Sequence, residues 1–165
     1  MISSVEKYLD TLLSFVPRNK GNRLSGDYIS LVHVPAHGAE RVYSLTFDDP
    51  ESLFTVASYK TTLWETAQGG SSAQSRPELD ALQTTVPSDH PVFGFLDVRT
   101  LEACENASDG SPEGMDYYLM LWQKDGRASV VECYEPYSRE SQSWLTVIGG
   151  LQALSSQFEY ATLES

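Results

Sequence analysis

The sequence predicts an α+β fold, in which a largely antiparallel β-sheet is packed against an N-terminal and a C-terminal helix. Three observations indicate this class. Apolar residues recur at helical spacing near both chain ends, two internal segments have the composition of β-hairpins, and the elements follow the order helix, hairpin, strands, short helix, strand, hairpin, helix. The chain has 165 residues, of which 41% are apolar, so we expect residues 1–165 to form a single domain around one core.

The first helix and the first hairpin are predicted in the N-terminal third of the chain. In residues 3–16 apolar side chains recur at helical spacing, Ser3 and Glu6 fit a capping box, and Pro17 ends the helix. Residues 28–34 and 41–47 are rich in β-branched and aromatic residues and flank a turn, which predicts a hairpin. Residues 53–64 predict one or two further strands.

The middle of the chain has weaker patterns. Residues near 67–76 contain no apolar residue larger than Ala and predict a mobile loop. Ser75, Pro77 and Glu78 then indicate the start of a short helix that continues through Leu79 and Leu82. Residues 91–98 predict a strand, and an acidic loop is expected near residues 102–115.

The C-terminal third has the clearest local pattern. Residues 117–122 and 128–134 are apolar and β-branched and flank Asp125-Gly126, which suits a two-residue turn with positive φ, so they predict a second hairpin. Apolar residues return to helical spacing from 141 to about 158, around Gly149-Gly150. Two glycines inside a helix cost stability, which indicates either that another element packs closely there or that the helix bends.

The charge balance excludes several classes of partner. The formal net charge is −12, and residues 97–116 hold six acids against one base. This balance argues against direct nucleic-acid binding, which needs clustered basic residues, and against binding to an anionic membrane surface. The chain has no apolar run of about 18–20 residues, no signal-peptide pattern and only two cysteines, so we expect a cytoplasmic protein.

The sequence contains no recognisable catalytic, cofactor-binding or metal-binding motif. His33 and His37 have the spacing of a metal pair on a helix, but Pro35 lies between them in a strand-to-turn segment. Phosphate-binding loops are absent from the sequence. Cys104 and Cys133 lie 29 residues apart, and a buried, inert thiol is the expectation for Cys133 in its strand. We therefore predict no enzyme activity and no cofactor.

Aromatic residues among carboxylates mark the predicted binding surface. Residues 132–137 lie at the end of the second hairpin and contain two tyrosines among acidic residues. This combination can bind Arg or Lys by ring stacking and charge-assisted hydrogen bonds. Further acids come just before the hairpin. The predicted partner-binding residues are Asp109, Glu113, Asp116, Glu132, Tyr134, Glu135 and Tyr137.

In overall character the chain resembles the immunity proteins of bacterial polymorphic toxin systems, which are small, cytoplasmic, frequently acidic and often α+β. The acid-flanked, aromatic hairpin over residues 116–137 is the local piece that carries this resemblance. The resemblance implies a protein that binds a cognate toxin domain with a basic surface, for instance a nuclease, and occludes it. Two alternatives stay open: an anti-defence or DNA-mimic inhibitor with rows of carboxylates, and a small enzyme with an unrecognised acid or cysteine site.

Overall fold

The computed structural model describes residues 26–35, 38–59, 79–105, 116–134 and 142–164. These residues form one six-stranded sheet, in which every pair of neighbouring strands is antiparallel and the order is β4-β3-β2-β1-β5-β6. The strands are β1 Tyr28–Val34, β2 Arg41–Thr46, β3 Glu51–Tyr59, β4 Leu79–Pro87, β5 Tyr117–Lys124 and β6 Arg127–Tyr134. The helices are a 3-10 helix Pro91–Gly94, α1 Val98–Ala103 and α2 Gln142–Glu164. The predicted α+β class and antiparallel sheet are confirmed, whereas the N-terminal helix and the loop near 67–76 lie outside the described residues.

The core lies between one face of the sheet and the helices. Because side chains alternate along a strand, Leu31 of β1, Phe54 of β3 and Met120 of β5 share this face and are fully buried. Leu151 and Leu154 of α2 belong to the same apolar cluster. Burial in the two hairpins does not alternate strictly, because β1 and β5 also bury residues on the opposite face of the sheet. No helix within the described ranges has the length and apolar character needed to cross a bilayer.

The prediction of a short helix through Leu79 and Leu82 is wrong, because these residues belong to strand β4. β4 pairs with β3 in an uninterrupted antiparallel register of nine residue pairs. Along β4, Val86 is buried while Thr85 and Gln83 are exposed, which is the period of a strand. The three-residue spacing of the leucines is therefore overridden by pairing with the preceding strand, from which residues 60–78 separate it in sequence.

The predicted strand over residues 91–98 is also wrong, since the chain here forms two short helices. His90 caps the 3-10 helix through its Nδ1, which accepts a hydrogen bond from the Val92 amide at 3.1 Å. Asp97 caps α1 through Oδ1, which accepts a hydrogen bond from the Thr100 amide at 2.8 Å. These caps satisfy the amides that open each helix and outweigh the strand propensity of the apolar residues between them. The acidic loop predicted near 102–115 accordingly begins inside α1, and residues 106–115 lie outside the described part.

Helix α2 confirms the predicted C-terminal helix and extends it to Glu164. The glycine pair lies within this helix, and Gly150 faces the 3-10 helix. A Cβ atom placed on Gly150 would lie 3.7 Å from Val92 Cγ2 and 3.8 Å from Phe95 Cβ. The 3-10 helix therefore packs near Gly150, but at a distance that leaves room for a Cβ atom.

Candidate functional site

The structure describes three of the seven predicted partner-binding residues, namely Asp116, Glu132 and Tyr134. Asp109, Glu113, Glu135 and Tyr137 lie outside the described residues. Glu132 and Tyr134 lie on one face of β6, since they are two positions apart in a strand. Asp116 precedes β5 and lies on the opposite face, where it contacts His33. The structure thus brings two of the three residues together and separates the third.

Tyr117 completes the group around Glu132 and Tyr134. Its hydroxyl donates a hydrogen bond of 2.8 Å to Glu132 Oε2, and its ring centroid lies 4.9 Å from that of Tyr134. Burial, reinforced by the Glu132 carboxylate, raises the pKa of Tyr117 far above its usual value, and the same two causes raise the pKa of Tyr134. Both phenols therefore remain protonated at neutral pH, and Tyr117 orients the carboxylate. Two tyrosines beside an oriented carboxylate form a surface suited to an arginine side chain.

Asp116 and His33 form a polar contact on the helix-covered face. His33 Nε2 lies 3.7 Å from Asp116 Oδ2, which is too long for a hydrogen bond, and the His33 ring stacks on Tyr118 with centroids 4.4 Å apart. Burial lowers the pKa of His33, and the nearby Asp116 carboxylate only partly counters this effect. His33 is therefore neutral at pH 7. His37 lies outside the described residues, so the sequence argument against a metal pair of His33 and His37 stays a prediction.

Arg41, which lies near His33 on the sheet, links the C-terminal part of α2 to the sheet. Its guanidinium pairs with Glu159 of α2, donates a hydrogen bond of 3.1 Å to Ser58 Oγ and lies 5.7 Å from the Tyr43 ring centroid. The positive charge of Arg41 is therefore paired within the fold. Arg41 is thus a structural residue in this arrangement, in which α2 is held over β2 and β3.

Sequence reasoning missed a concentration of carboxylates at one end of the sheet. Here β1, β3 and β6 begin while β2, β4 and β5 end, so turns that are far apart in sequence meet. Six carboxylates share this end, and we call them the acidic end: Asp27, Asp48, Asp49, Glu51, Asp89 and Asp125. All are exposed except the half-buried Asp27.

Hydrogen bonds join the turns of the acidic end into one surface. Asp27 Oδ2 accepts a bond of 3.2 Å from the Asp125 amide, and Asp49 Oδ1 accepts a bond of 3.0 Å from the Ser88 hydroxyl. With strands about 4.8 Å apart, the strand ends from β4 to β5 span about 20 Å.

Lys124 offsets one of the six negative charges of the acidic end. Its Nζ donates a hydrogen bond of 3.2 Å to the Leu96 carbonyl and lies 4.4 Å from the Phe47 ring centroid.

The sequence contains a signal for the acidic end, but this signal can be recognised only when the strand topology is known. In consecutive antiparallel strands every second turn lies at the same end of the sheet. Asp48, Asp49, Asp89 and Asp125 all occupy such turns. Because β4 was predicted as a helix, the turn that carries Asp89 could not be assigned to the same end as the others.

The two thiols show the features of inert core residues. Cys104 and Cys133 do not form a disulfide and both are buried, as expected for Cys133. Burial, together with the neighbouring Cys133, raises the pKa of the Cys104 thiol to about 12. Cys104 lines a groove of about 340 Å3 between α1 and the β5–β6 hairpin, with the Glu102–Arg127 ion pair beside it. Among the residues described, no three His, Cys, Asp or Glu side chains are grouped so that they could hold a metal ion.

Comparison with known proteins adds no relative to this picture. No protein-family model, no curated protein and no solved structure matches the chain.

Proposed function

We propose that this protein is a non-catalytic, acidic binding protein of the cytoplasm that docks on a basic protein and occludes its functional surface. In its most specific form the proposal is an immunity protein that neutralises a cognate toxin domain, as the overall resemblance implies. The acidic end is the observation that supports it: six carboxylates from several turns and strand ends, five of them exposed, lie at one end of a single sheet.

The physical effect of such a surface is on the rate of encounter. Complementary charge raises association rate constants from about 10⁵–10⁶ M⁻¹s⁻¹ towards 10⁸–10⁹ M⁻¹s⁻¹ at low salt. The effect weakens as salt is added, because the screening length falls from about 10 Å at 0.1 M to about 3 Å at 1 M. A fast, salt-sensitive inhibitor is useful when a toxin must be captured before it reaches its substrate.

The same acidic end favours a second candidate, a protein that mimics nucleic acid. The adjacent strands whose ends carry these carboxylates lie about 4.8 Å apart, on the order of the 3.4 Å charge spacing along one nucleic-acid strand. Both candidates bind a basic protein. They differ in the partner, which is a toxin in the first case and a DNA-binding defence protein in the second.

The test compares two charge-reversed variants that have the same net charge. In Glu51→Lys/Asp89→Lys, two exposed carboxylates of the acidic end are reversed, and neither makes a side-chain hydrogen bond with another described residue. In the control Asp80→Lys/Glu105→Lys, two exposed carboxylates outside the acidic end are reversed. Tagged proteins are incubated with native lysate at low and high salt, eluates are identified by mass spectrometry, and association rates of the captured partner are then measured.

We expect wild type and the control to retain one stoichiometric basic protein that salt releases. The acidic-end variant should bind it at least about tenfold more slowly. Equal rates for the two variants would remove the acidic end from the interface. A partner that is not basic would contradict the proposal as a whole.

A further inference from the structure

In the part of the chain that the structure describes, strand β6 is an edge of the sheet, and its own sequence lacks the features that usually protect edge strands. It pairs with β5 through eight consecutive residue pairs without a bulge, and no strand in the described ranges lies on its other side. Natural proteins usually protect such an edge with Lys, Pro or a bulge, because unpaired backbone groups recruit other strands. The sequence of β6 contains neither Pro nor Lys, and its one cation, Arg127, pairs with Glu102. The opposite edge strand, β4, ends instead in Pro87.

The turn geometry identifies which backbone groups of β6 face outwards. Asp125 and Gly126 have φ values of 52° and 79°, as in the two-residue turns that close hairpins. Lys124 and Arg127 then form the closing hydrogen-bonded pair, so Ser129 and Val131 direct their backbone groups to β5. The backbone groups of Ala128 and Val130 are directed to the open side.

The surroundings of these outward groups indicate the chemistry of what could bind there. Ala128 is exposed, and Val130 has 61% of its surface exposed, the larger value of the two large hydrophobic residues found exposed in the described part. Asp125 lies just before this stretch and Glu132 just after it, so a strand lying along β6 would have a carboxylate near each end. A second copy of this chain has a formal net charge of −12 as a whole and therefore does not complement these carboxylates.

We propose that the partner docks by adding a basic, extended segment to β6 as a seventh strand, with its backbone bonded to Ala128 and Val130. An apolar side chain of this segment covers Val130, and Arg or Lys side chains lie near Asp125 and Glu132. Main-chain hydrogen bonds supply affinity in this mode, and alternate side chains supply specificity. This inference rests on the proposed function only in that the partner is basic.

The experiment uses the full chain, labelled with ¹⁵N, and a synthetic heptapeptide of alternating Arg and Val as the probe. Amide hydrogen exchange is followed by NMR with and without the peptide. We expect exchange at Ala128 and Val130 to slow by about tenfold or more, whereas Ser129 and Val131, already bonded to β5, change little. The matched control is the same peptide with Glu in place of Arg, which should leave all four amides unchanged.

Two variants at one position separate backbone pairing from side-chain contact. Val130→Pro removes the outward N–H group and leaves the bonds between β5 and β6, whereas Val130→Thr keeps that group and the β-branched shape. We expect Val130→Pro to weaken peptide binding by about tenfold and Val130→Thr by about twofold at most. Exchange of the Ser129 and Val131 amides reports whether each variant keeps the hairpin.

Unchanged exchange at Ala128 and Val130 with the Arg peptide would overturn docking at β6 and leave the acidic-end test untouched. Equal protection by the Glu peptide would overturn the basic segment and, with it, the charge argument of the proposed function. Protection that grows with protein concentration in the absence of peptide would assign the edge to a second copy, which also contradicts the proposal.

Discussion

Replacing Gly149 by Ala should stabilise the protein, because nothing in the structure requires a glycine at that position. Gly149 lies in the middle of α2, is exposed, and has no described atom within 4 Å of the place where a Cβ would stand. Its φ is in the ordinary helical range, since it is not among the glycines with positive φ. Glycine in a helix interior costs about 0.8–1.0 kcal/mol relative to Ala, so the substitution should raise the free energy of unfolding by about that amount.

Gly150 allows the same substitution with an added contact. A Cβ there would lie 3.7 Å from Val92 Cγ2, which is ordinary van der Waals contact and no clash. The double variant Gly149→Ala/Gly150→Ala should therefore gain about 2 kcal/mol. For a protein of 150–250 residues, 1 kcal/mol shifts Tm by about 2–4 °C, so we expect a rise of about 4–8 °C.

Thermal and urea unfolding, followed by circular dichroism, measure this effect, and Gly126→Ala is the matched control. Gly126 has a φ of 79° in the β5–β6 turn, where an alanine Cβ is strained even though the space is open. The same chemical change should there cost about 1–2 kcal/mol. A lower Tm for Gly149→Ala would refute the reasoning, because it would mean that the bare helix surface at this position is needed.

Two further predictions concern buried titratable groups. Burial lowers the pKa of His33 below its ordinary value of 6.5, so below pH 6.5 the unfolded chain binds a proton that the folded chain does not. This residue should therefore lower the free energy of unfolding of the wild type by up to about 1.4 kcal/mol for each pH unit below 6.5. Urea titrations at pH 7 and pH 5.5 should show a smaller decrease for His33→Gln than for the wild type. Equal decreases would contradict the effect assigned to His33. The Cys104 thiol is buried and its pKa is raised to about 12, so it should not react with iodoacetamide at pH 8 in the native protein. It should react once the protein is unfolded in urea. Rapid labelling of the native protein would contradict this prediction and show that the core opens.

The hairpins and α2 could be predicted from local pattern because their determinants are close together in sequence. Asp125 and Gly126 favour positive φ on their own, and the apolar residues of α2 recur within a few turns of one helix. β4 could not be predicted in this way, since its leucines fit a helix until β3 pairs with them. The segment that follows β4 could not be predicted for another reason. Caps at His90 and Asp97 decide its structure, whereas the apolar pattern predicts a strand that includes Asp97.

The candidate site could likewise be predicted only where its determinants are local in sequence. The period of two in a strand already places Glu132 and Tyr134 on one face, and the same period places Asp116 with Tyr118 on the other face. Their separation was therefore predictable once the hairpin was assigned. The acidic end was not, because its members come from turns whose positions depend on the order of all six strands.

The acidic end and the edge of β6 meet at the turn that contains Asp125, and their physical roles are distinct. Exposed carboxylates act over about a screening length and therefore affect mainly how fast a basic partner arrives. Backbone bonds at Ala128 and Val130 act only on contact and therefore affect mainly how long the partner stays. If both proposals hold, Glu51→Lys/Asp89→Lys should change the association rate and its salt dependence, whereas Val130→Pro should change the dissociation rate at any salt concentration. Kinetics that change in the same way in both variants would show that the two surfaces are not used separately.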